Sequence, residues 1–166
     1  MEKRYKVIDN FLPQHQFKAI QEYFLSQNMP WYFNDHVVYG DAKEKADKNA
    51  YQFIHVMYFR DAPCGVGTQA VQPLIDALEV LALIRIKANF SPVREAHYVS
   101  DDHYDDADFT DNKIPYTVGV FYLTTNDGAT VIDGERVESK ENRMVLMAGD
   151  LPHHGISATD NRRVLL

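Results

Sequence analysis

The chain has 166 residues, of which 45% are hydrophobic and 25% are charged, and its formal net charge is −7. This composition is typical of a globular protein and excludes a disordered chain, and the length predicts one domain that spans residues 1–166. The excess of acidic residues argues against a general nucleic-acid binder, because such proteins rely on clustered Lys and Arg to contact phosphates.

The cysteine content and the N-terminal residues bear on where the protein functions. Cys64 is the only cysteine, so no disulfide can form within the chain and a reducing compartment is expected. The first six residues are mostly charged and no long apolar run follows them, so we expect no signal peptide. No uninterrupted apolar segment is long enough to span a bilayer. These features predict a soluble, cytoplasmic protein.

The N-terminal third of the chain begins with a strand and a helix. Residues 5–8 are predicted as a strand, and residues 14–26 place apolar side chains three and four positions apart, which is the spacing of one buried helix face. Residues 31–33 and 36–39 are predicted as strands. Residues 41–49 carry charges of both signs and are predicted to form a solvated loop, with a lid over an active site as the alternative.

Residues 51–59 are a strong strand candidate, because aromatic and β-branched residues fill the run. His55 lies inside this run, and we interpret it as a hydrogen-bonded structural histidine rather than a metal ligand. After a loop at 61–67, Thr68 is predicted to cap a helix. The buried face of that helix is predicted to consist of Val71, Leu74, Ile75, Leu78 and Leu81.

Residues 83–90 alternate between apolar and polar side chains. This period of two predicts a strand with one face toward a core and the other toward solvent or a polar cavity. The polar face carries Arg85, Lys87 and Asn89.

The segment His-Tyr-Asp at 103–105 has the spacing of a pair of metal ligands. In an extended chain successive side chains alternate faces, so His103 and Asp105 point the same way. A distant histidine, His153 or His154, is placed to complete a facial 2-His-1-carboxylate site. Such a site suits Fe(II), because three ligands on one side of the ion leave positions open for other molecules.

Other residues near this segment bear on the prediction. Arg163, ten positions after His153, lies in a short apolar strand, where its guanidinium is suited to hold a carboxylate beside the metal. His97 is a weaker candidate ligand than His103, because Val99 rather than a carboxylate follows it by two positions. Six Asp between residues 101 and 111 leave open a simple acidic cation site.

The C-terminal half is predicted to consist of short strands joined by tight turns. Asn126-Asp127-Gly128 predicts a tight hairpin, and Asp133-Gly134 predicts a second one. Many short strands with such turns are typical of an antiparallel barrel or sandwich. The predicted strands are 116–123, 130–132, 135–138, 143–147 and 162–166.

This order of motifs resembles the Fe(II)- and 2-oxoglutarate-dependent oxygenases, especially their small prolyl-4-hydroxylase-like branch. The resemblance touches most of the chain, and its more specific part is the C-terminal half. The segments that carry it are 7–13, 30–32, 84–90, 103–105, 121–123, 126–130, 141–143, 153–155, 159–160 and 163–164.

The resemblance implies a fold and a set of site residues. The fold is mainly β with supporting α-helices (α+β): a double-stranded β-helix (cupin-like jelly-roll) at about residues 83–166, with N-terminal helices packed on one sheet. The family pattern His-x-Gly-x-x-x-Thr-Asp falls on His153, which makes it the implied third metal ligand rather than His154. The residues implied to bind 2-oxoglutarate are Arg163, Asn89, Tyr98 and Thr130.

The resemblance also implies an activity. Fe(II) and 2-oxoglutarate would be used with O2 to hydroxylate a substrate, with release of succinate and CO2, and a prolyl or other peptide side chain is the substrate class that the branch suggests. Small molecules remain open as substrates. Two alternatives remain: a cupin-like metal enzyme that does not use 2-oxoglutarate, and a non-catalytic jelly-roll binding module.

Overall fold

The computed structural model describes residues 3–38 and 47–166, the side chains of residues 107 and 108 excepted. The predicted strand at 36–39 is not formed over 36–38, and most of the predicted loop or lid at 41–49 lies outside the described residues. The elements are β1 (Tyr5–Ile8), α1 (Gln14–Leu25), β2 (Tyr32–Asn34), β3 (Gln52–Phe59), β4 (Ala62–Pro63), α2 (Gln72–Ala77), β5 (Arg85–Ser91), α3 (Ala107–Asp111), β6 (Thr117–Tyr122), β7 (Ala129–Ile132), β8 (Glu135–Glu138), β9 (Arg143–Ala148), β10 (His153–Ile156) and β11 (Arg163–Leu165).

The strands form two antiparallel sheets. An eight-stranded sheet has the order β1-β9-β6-β11-β5-β3-β2, with β4 paired to β3, and a three-stranded sheet has the order β10-β7-β8. Most strands therefore have at least one partner that is distant in sequence, and β6 lies inside the large sheet between β9 and β11. The predicted fold class, mainly antiparallel β with supporting helices, is confirmed.

Two apolar cores lie on opposite faces of the large sheet. On one face the helices α1 and α2 pack against the sheet, with Phe17, Ile20 and Phe24 of α1 fully buried. On the other face the small sheet packs against the large one through Tyr122, Ile132, Val145 and Met147, among others. Burial of one large apolar side chain stabilises the folded state by about 1.5–3 kcal/mol. The two cores therefore fix the positions of the strands that carry the polar site residues.

The helix predicted after Thr68 is shorter than expected. Thr68 does not cap it, because its hydroxyl donates to the carbonyl oxygen of Met57 at 3.3 Å. The helix covers only Gln72–Ala77, and Glu79 just after it has a φ of 50°. That left-handed residue turns the chain out of the helix, so Leu81 is 103% exposed and its prediction as a buried residue is wrong.

One of the two predicted hairpins is also wrong. The turn around Asn126 leads from β6 in the large sheet to β7 in the small sheet, so these strands do not pair. The Asn126 side chain accepts a hydrogen bond from the Gly128 backbone at 3.0 Å, which lets the turn change direction without a hairpin. The second hairpin is confirmed: β7 and β8 pair around Asp133 and Gly134, both with positive φ.

None of the helices in the described part of the chain has the length and apolar character needed to cross a bilayer.

Candidate functional site

The backbone brings two histidines together that are far apart in sequence. His103 and His153 form an isolated antiparallel bridge, and the backbone N–H of each donates to the carbonyl oxygen of the other at 2.9 and 3.2 Å. Their ring centroids are 4.6 Å apart. His153 begins β10 at the edge of the small sheet, so the bridge anchors the segment before α3 to this sheet.

The side chains of His103, Asp105 and His153 converge on one point. One ligand atom from each residue lies within 4.8 Å of the other two, and Nε2 of His153 is 3.3 Å from Oδ2 of Asp105. His153 is buried, and the other two are partly buried. Two imidazole nitrogens and one carboxylate oxygen on one side of a space are the donor set that suits Fe(II) with open positions.

Further contacts orient each ligand. Nδ1 of His103 lies 3.2 Å from the carbonyl oxygen of Asp101, and Nδ1 of His153 lies 3.2 Å from that of Leu151. A carbonyl oxygen only accepts, so each Nδ1 donates and each Nε2 remains available to a metal. Oδ1 of Asp105 accepts a hydrogen bond of 2.6 Å from the Arg85 guanidinium, which leaves Oδ2 to face the histidines.

The electrostatics of the triad favour a bound cation. Burial alone would raise the pKa of the Asp105 carboxyl, but the hydrogen bond with His153 and the Arg85 charge together bring it below its usual range. Burial alone would lower the pKa of His153, but the hydrogen bond to Asp105 raises it overall. Burial, and then the His153 charge, lower the pKa of His103. The Asp105 carboxylate therefore favours positive charge at Nε2 of His153, a position that a metal ion can take.

The alternative ligands lie elsewhere. Nδ1 of His154 is 2.7 Å from Oδ1 of Asp102, because neighbouring residues of β10 point to opposite faces. His97 is exposed and contacts the carbonyl oxygen of Ser157 at 2.6 Å. Within the described residues, the only group of three or more His, Cys, Asp or Glu side chains close enough to share a metal is the triad. Among the described side chains, which do not include Asp108, the acidic cluster at 101–111 shows no second such group.

A cavity away from the triad bears on the interpretation of His55. It has a volume of about 440 Å³ and lies at the edge of the large sheet, where His55 is among its lining residues. Both ring nitrogens of His55 are 2.9 Å from backbone carbonyl oxygens, those of Pro30 and Val66. This confirms the interpretation of His55 as a hydrogen-bonded structural residue.

Arg163 lies on the inner face of the large sheet, beside β10. Nη1 of Arg163 would be 3.6 Å from a Cβ at Gly155, two positions after His153 on the same face of β10. Two residues of a strand span about 6.6 Å, so the guanidinium is a short distance from the triad. Burial lowers the pKa of Arg163, and among the described residues no carboxylate pairs with it. Its side-chain donors reach Ser139, Ala129 and Thr130 instead.

The other three residues predicted to bind the co-substrate lie around Arg163 or on the same sheet face. The hydroxyl of Thr130 accepts a hydrogen bond from Nη2 of Arg163 at 2.9 Å, so it also supports the guanidinium. Tyr98 and Arg163 line one small cavity together with Ser100. The side-chain oxygen of Asn89 is buried and, in the described structure, has no hydrogen-bond partner. Their contact with a co-substrate stays a prediction.

Sequence reasoning left both Arg85 and Lys87 open between contact with a ligand and a solvated polar face, and it missed the contact of Arg85 with Asp105. Both belong to the predicted polar face of β5, and the alternation that predicted this face is borne out, since the intervening Ala88 is fully buried. Arg85 reaches Asp105 rather than open solvent. Lys87 is partly buried, and its pKa is lowered first by burial and then by the Arg85 charge. The Arg85 contact depends on where β5 lies relative to the segment that carries Asp105, which a local sequence pattern does not show.

No family model and no curated protein matches the sequence. Solved structures match it over nearly the whole chain. A prolyl hydroxylase from Trichoplax adhaerens, in complex with a peptide from a hypoxia inducible factor, has a TM-score of 0.66, 14% identity and coverage of 98% of this chain and 81% of that one. A 2OG-Fe(II) oxygenase family oxidoreductase from Burkholderia pseudomallei has a TM-score of 0.62, 12% identity and coverage of 98% and 82%. A prolyl-4-hydroxylase from Pseudomonas putida has a TM-score of 0.56, 16% identity and coverage of 98% and 89%.

At these identities the likeness establishes the fold alone. The chain has the jelly-roll fold of the 2-oxoglutarate- and Fe(II)-dependent oxygenases, prolyl hydroxylases among them, and the resemblance found in the sequence is confirmed at that level. On this fold the chain carries a His-Asp-His group that could hold a metal.

Proposed function

We propose that the protein is an Fe(II)- and 2-oxoglutarate-dependent dioxygenase that hydroxylates a still unidentified substrate and releases succinate and CO2. The observation that carries the proposal is the placement of a buried Arg163, with no carboxylate partner among the described side chains, beside Gly155 of β10, which is two positions after His153. Metal ligands alone fit many metal enzymes. Metal ligands with a guanidinium at this distance fit a co-substrate that has a chelating end and a carboxylate end.

The chain's own residues have distinct tasks in this proposal. His103, Asp105 and His153 hold the metal from one side, and Arg85 keeps the Asp105 carboxylate turned toward it. When bound, Fe(II) with 2-oxoglutarate supplies the O2-dependent oxidation of a substrate C–H bond. The ligands' task is to keep the other positions of the ion open, which three donors on one side do.

Arg163 selects the co-substrate by charge. A guanidinium that is buried without an anion is costly, and a carboxylate held in two-point contact offsets that cost. Thr130 and Ser139 fix the guanidinium through hydrogen bonds of 2.9 and 3.2 Å, so it is oriented before a ligand enters. Asn89 and Tyr98 complete this pocket in the proposal. The buried amide of Asn89 can present either its oxygen or, after a flip, its NH2 group to a ligand.

For the substrate we propose a prolyl or other peptide side chain. This rests on the structural neighbours, of which one is a prolyl hydroxylase in complex with a peptide. The two alternatives are less well supported. A cupin-like metal enzyme without 2-oxoglutarate gives Arg163 no function, and a non-catalytic binding module gives the triad none.

The test is 2-oxoglutarate turnover without the primary substrate, measured as succinate formed in the presence of Fe(II) and O2. The wild-type protein is expected to form succinate slowly, and His103→Ala and His153→Ala are expected to abolish it. His154→Ala is the matched control, because its ring faces Asp102 and should not affect turnover. Urea unfolding of each variant shows whether the fold is kept. Turnover that survives His153→Ala but not His154→Ala would overturn the ligand assignment. Absence of turnover in the wild-type protein would overturn the proposed reaction.

A further inference from the structure

The inward face of β5 connects the triad with Arg163. Arg85 near the start of β5 contacts Asp105, and Ser91 at its end is the register partner of Arg163. Residues two apart on a strand share a face, so Lys87 and Asn89 lie between these two ends. A ligand that spans from the metal to Arg163 must pass over them.

Lys87 is attracted to the Asp105 carboxylate on this face but forms no hydrogen bond or ion pair with it. Among the described side chains, which do not include those of residues 107 and 108, no hydrogen bond or ion pair involves its ammonium group. The nearby carboxylate of Asp105 is already used, since Oδ1 accepts from Arg85 and Oδ2 faces His153. A partly buried ammonium without a hydrogen-bonded anion is unfavourable, and an anionic ligand would offset that cost.

Lys87 belongs to the metal end of the site. It acts electrostatically on two of the triad residues, His103 and Asp105. Along β5 it is two positions from Arg85, about 6.6 Å, and four from Ser91, about 13 Å. An anion that it binds therefore lies next to the metal rather than at Arg163.

We infer that Lys87 binds the carboxylate adjacent to the 2-oxo group of the co-substrate, the end that also contacts the metal. The 2-oxo acid is then held by a cation at each end: Lys87 at the chelating end and Arg163 at the far carboxylate. This inference rests on the proposed function, since it assigns a second residue to the same co-substrate.

The experiment compares two 2-oxo acids that differ only at the far end. 2-Oxoglutarate has both carboxylates, whereas pyruvate has only the one beside the oxo group. Dissociation constants of both are measured calorimetrically on the Fe(II)-loaded protein without O2, so no turnover is required. The variants are Lys87→Gln, Arg163→Gln and, as a matched control, Lys6→Gln, which changes an exposed lysine of β1.

Lys87→Gln is expected to weaken the binding of both acids by a similar factor. That factor should be about 10- to 100-fold, which is the usual contribution of a hydrogen bond to a charged group. Arg163→Gln is expected to weaken the binding of 2-oxoglutarate by a similar factor and that of pyruvate only a little. Lys6→Gln is expected to change the binding of neither acid. Fe(II) affinity should not fall in Lys87→Gln, because the change removes a positive charge near the ion. A purely structural role for Lys87 would lower it.

Other results overturn the inference. If Lys87→Gln weakens 2-oxoglutarate alone, Lys87 serves the far carboxylate. If it weakens the binding of neither acid, Lys87 does not bind the co-substrate. If Lys87→Gln does not fold, Lys87→Arg decides, since it keeps the charge and should bind both acids at least tenfold more tightly than Lys87→Met. Wild-type protein that binds neither acid would instead refute the proposed function.

Discussion

Thr130 offers a direct test of how Arg163 is held. Its hydroxyl oxygen is buried and accepts two hydrogen bonds, one of 2.9 Å from Nη2 of Arg163 and one of 2.7 Å from the Tyr122 hydroxyl. Thr130→Val keeps the shape of the side chain and removes the acceptor. The Tyr122 hydroxyl is then buried without this partner, and the guanidinium keeps only its bonds to Ala129 and Ser139.

The cost of Thr130→Val can be worked out from these contacts. Loss of the hydrogen bond from a charged donor costs about 1.5–3 kcal/mol, and a buried hydroxyl left without an acceptor costs about 1–3 kcal/mol. The added methyl group returns about 0.8 kcal/mol. The net loss is about 2–5 kcal/mol, which for a protein of this size lowers Tm by roughly 4–20 °C.

The assay is urea unfolding of the metal-free protein. Thr130→Ser is the control, because it keeps the hydroxyl and should cost about 1 kcal/mol for the missing methyl group. Adding Tyr122→Phe to Thr130→Val removes the unpaired hydroxyl, so the double variant should be more stable than the sum of the two single changes predicts. The free energies of unfolding of Thr130→Val and Thr130→Ser should differ by more than about 0.5 kcal/mol, which is the scatter expected for additive sites. If they do not, Thr130 does not accept these two hydrogen bonds.

Two further predictions concern residues outside the triad. Hydrogen bonds from Arg143 and then Lys140 lower the pKa of Asp9 from 3.8 to about 2, so its stabilising effect is present above pH 4 and lost as the pH falls toward 2. Asp9→Asn should therefore lower the free energy of unfolding at pH 7 by about 0.5–1 kcal/mol, since the Asp9 carboxylate is partly exposed to solvent, and equal unfolding curves at pH 7 would contradict this. A Cβ at Gly128 would lie 2.7 Å from the carbonyl oxygen of Ile156 and 3.0 Å from Cδ of Arg163. Gly128→Ala should therefore reduce both stability and 2-oxoglutarate binding. Gly134→Ala, at an open turn with a φ of 77°, should reduce stability alone, and equal effects on binding would refute the reasoning.

The local features of the site follow from the sequence. The period of two in an extended chain predicts that His103 and Asp105 share a face, and both are found in the group that could hold a metal. The same period predicts the polar face of β5. The choice of His153 over His154 needed the resemblance, because local pattern alone left both open.

The contacts around the site do not follow from the sequence in the same way. The pairing of Arg85 with Asp105 depends on how β5 lies relative to a segment beyond the strand, and the position of Thr130 depends on β7 joining the small sheet. Turn residues such as Asn126 indicate a change of direction but not which sheet the chain enters next. Propensity likewise predicts a longer second helix, whereas the left-handed Glu79 comes directly after it.

The most direct test of the central claim is an anaerobic titration of the metal-free protein with Fe(II) and then 2-oxoglutarate, followed by the visible charge-transfer band of the chelate. We expect a saturable band that is absent in His103→Ala. It should need more 2-oxoglutarate in Arg163→Met but not in Arg162→Met, because Arg162 is exposed. Specific Fe(II) binding without the band, or no specific Fe(II) binding, would contradict the assignment of this site to a 2-oxoglutarate-dependent oxygenase.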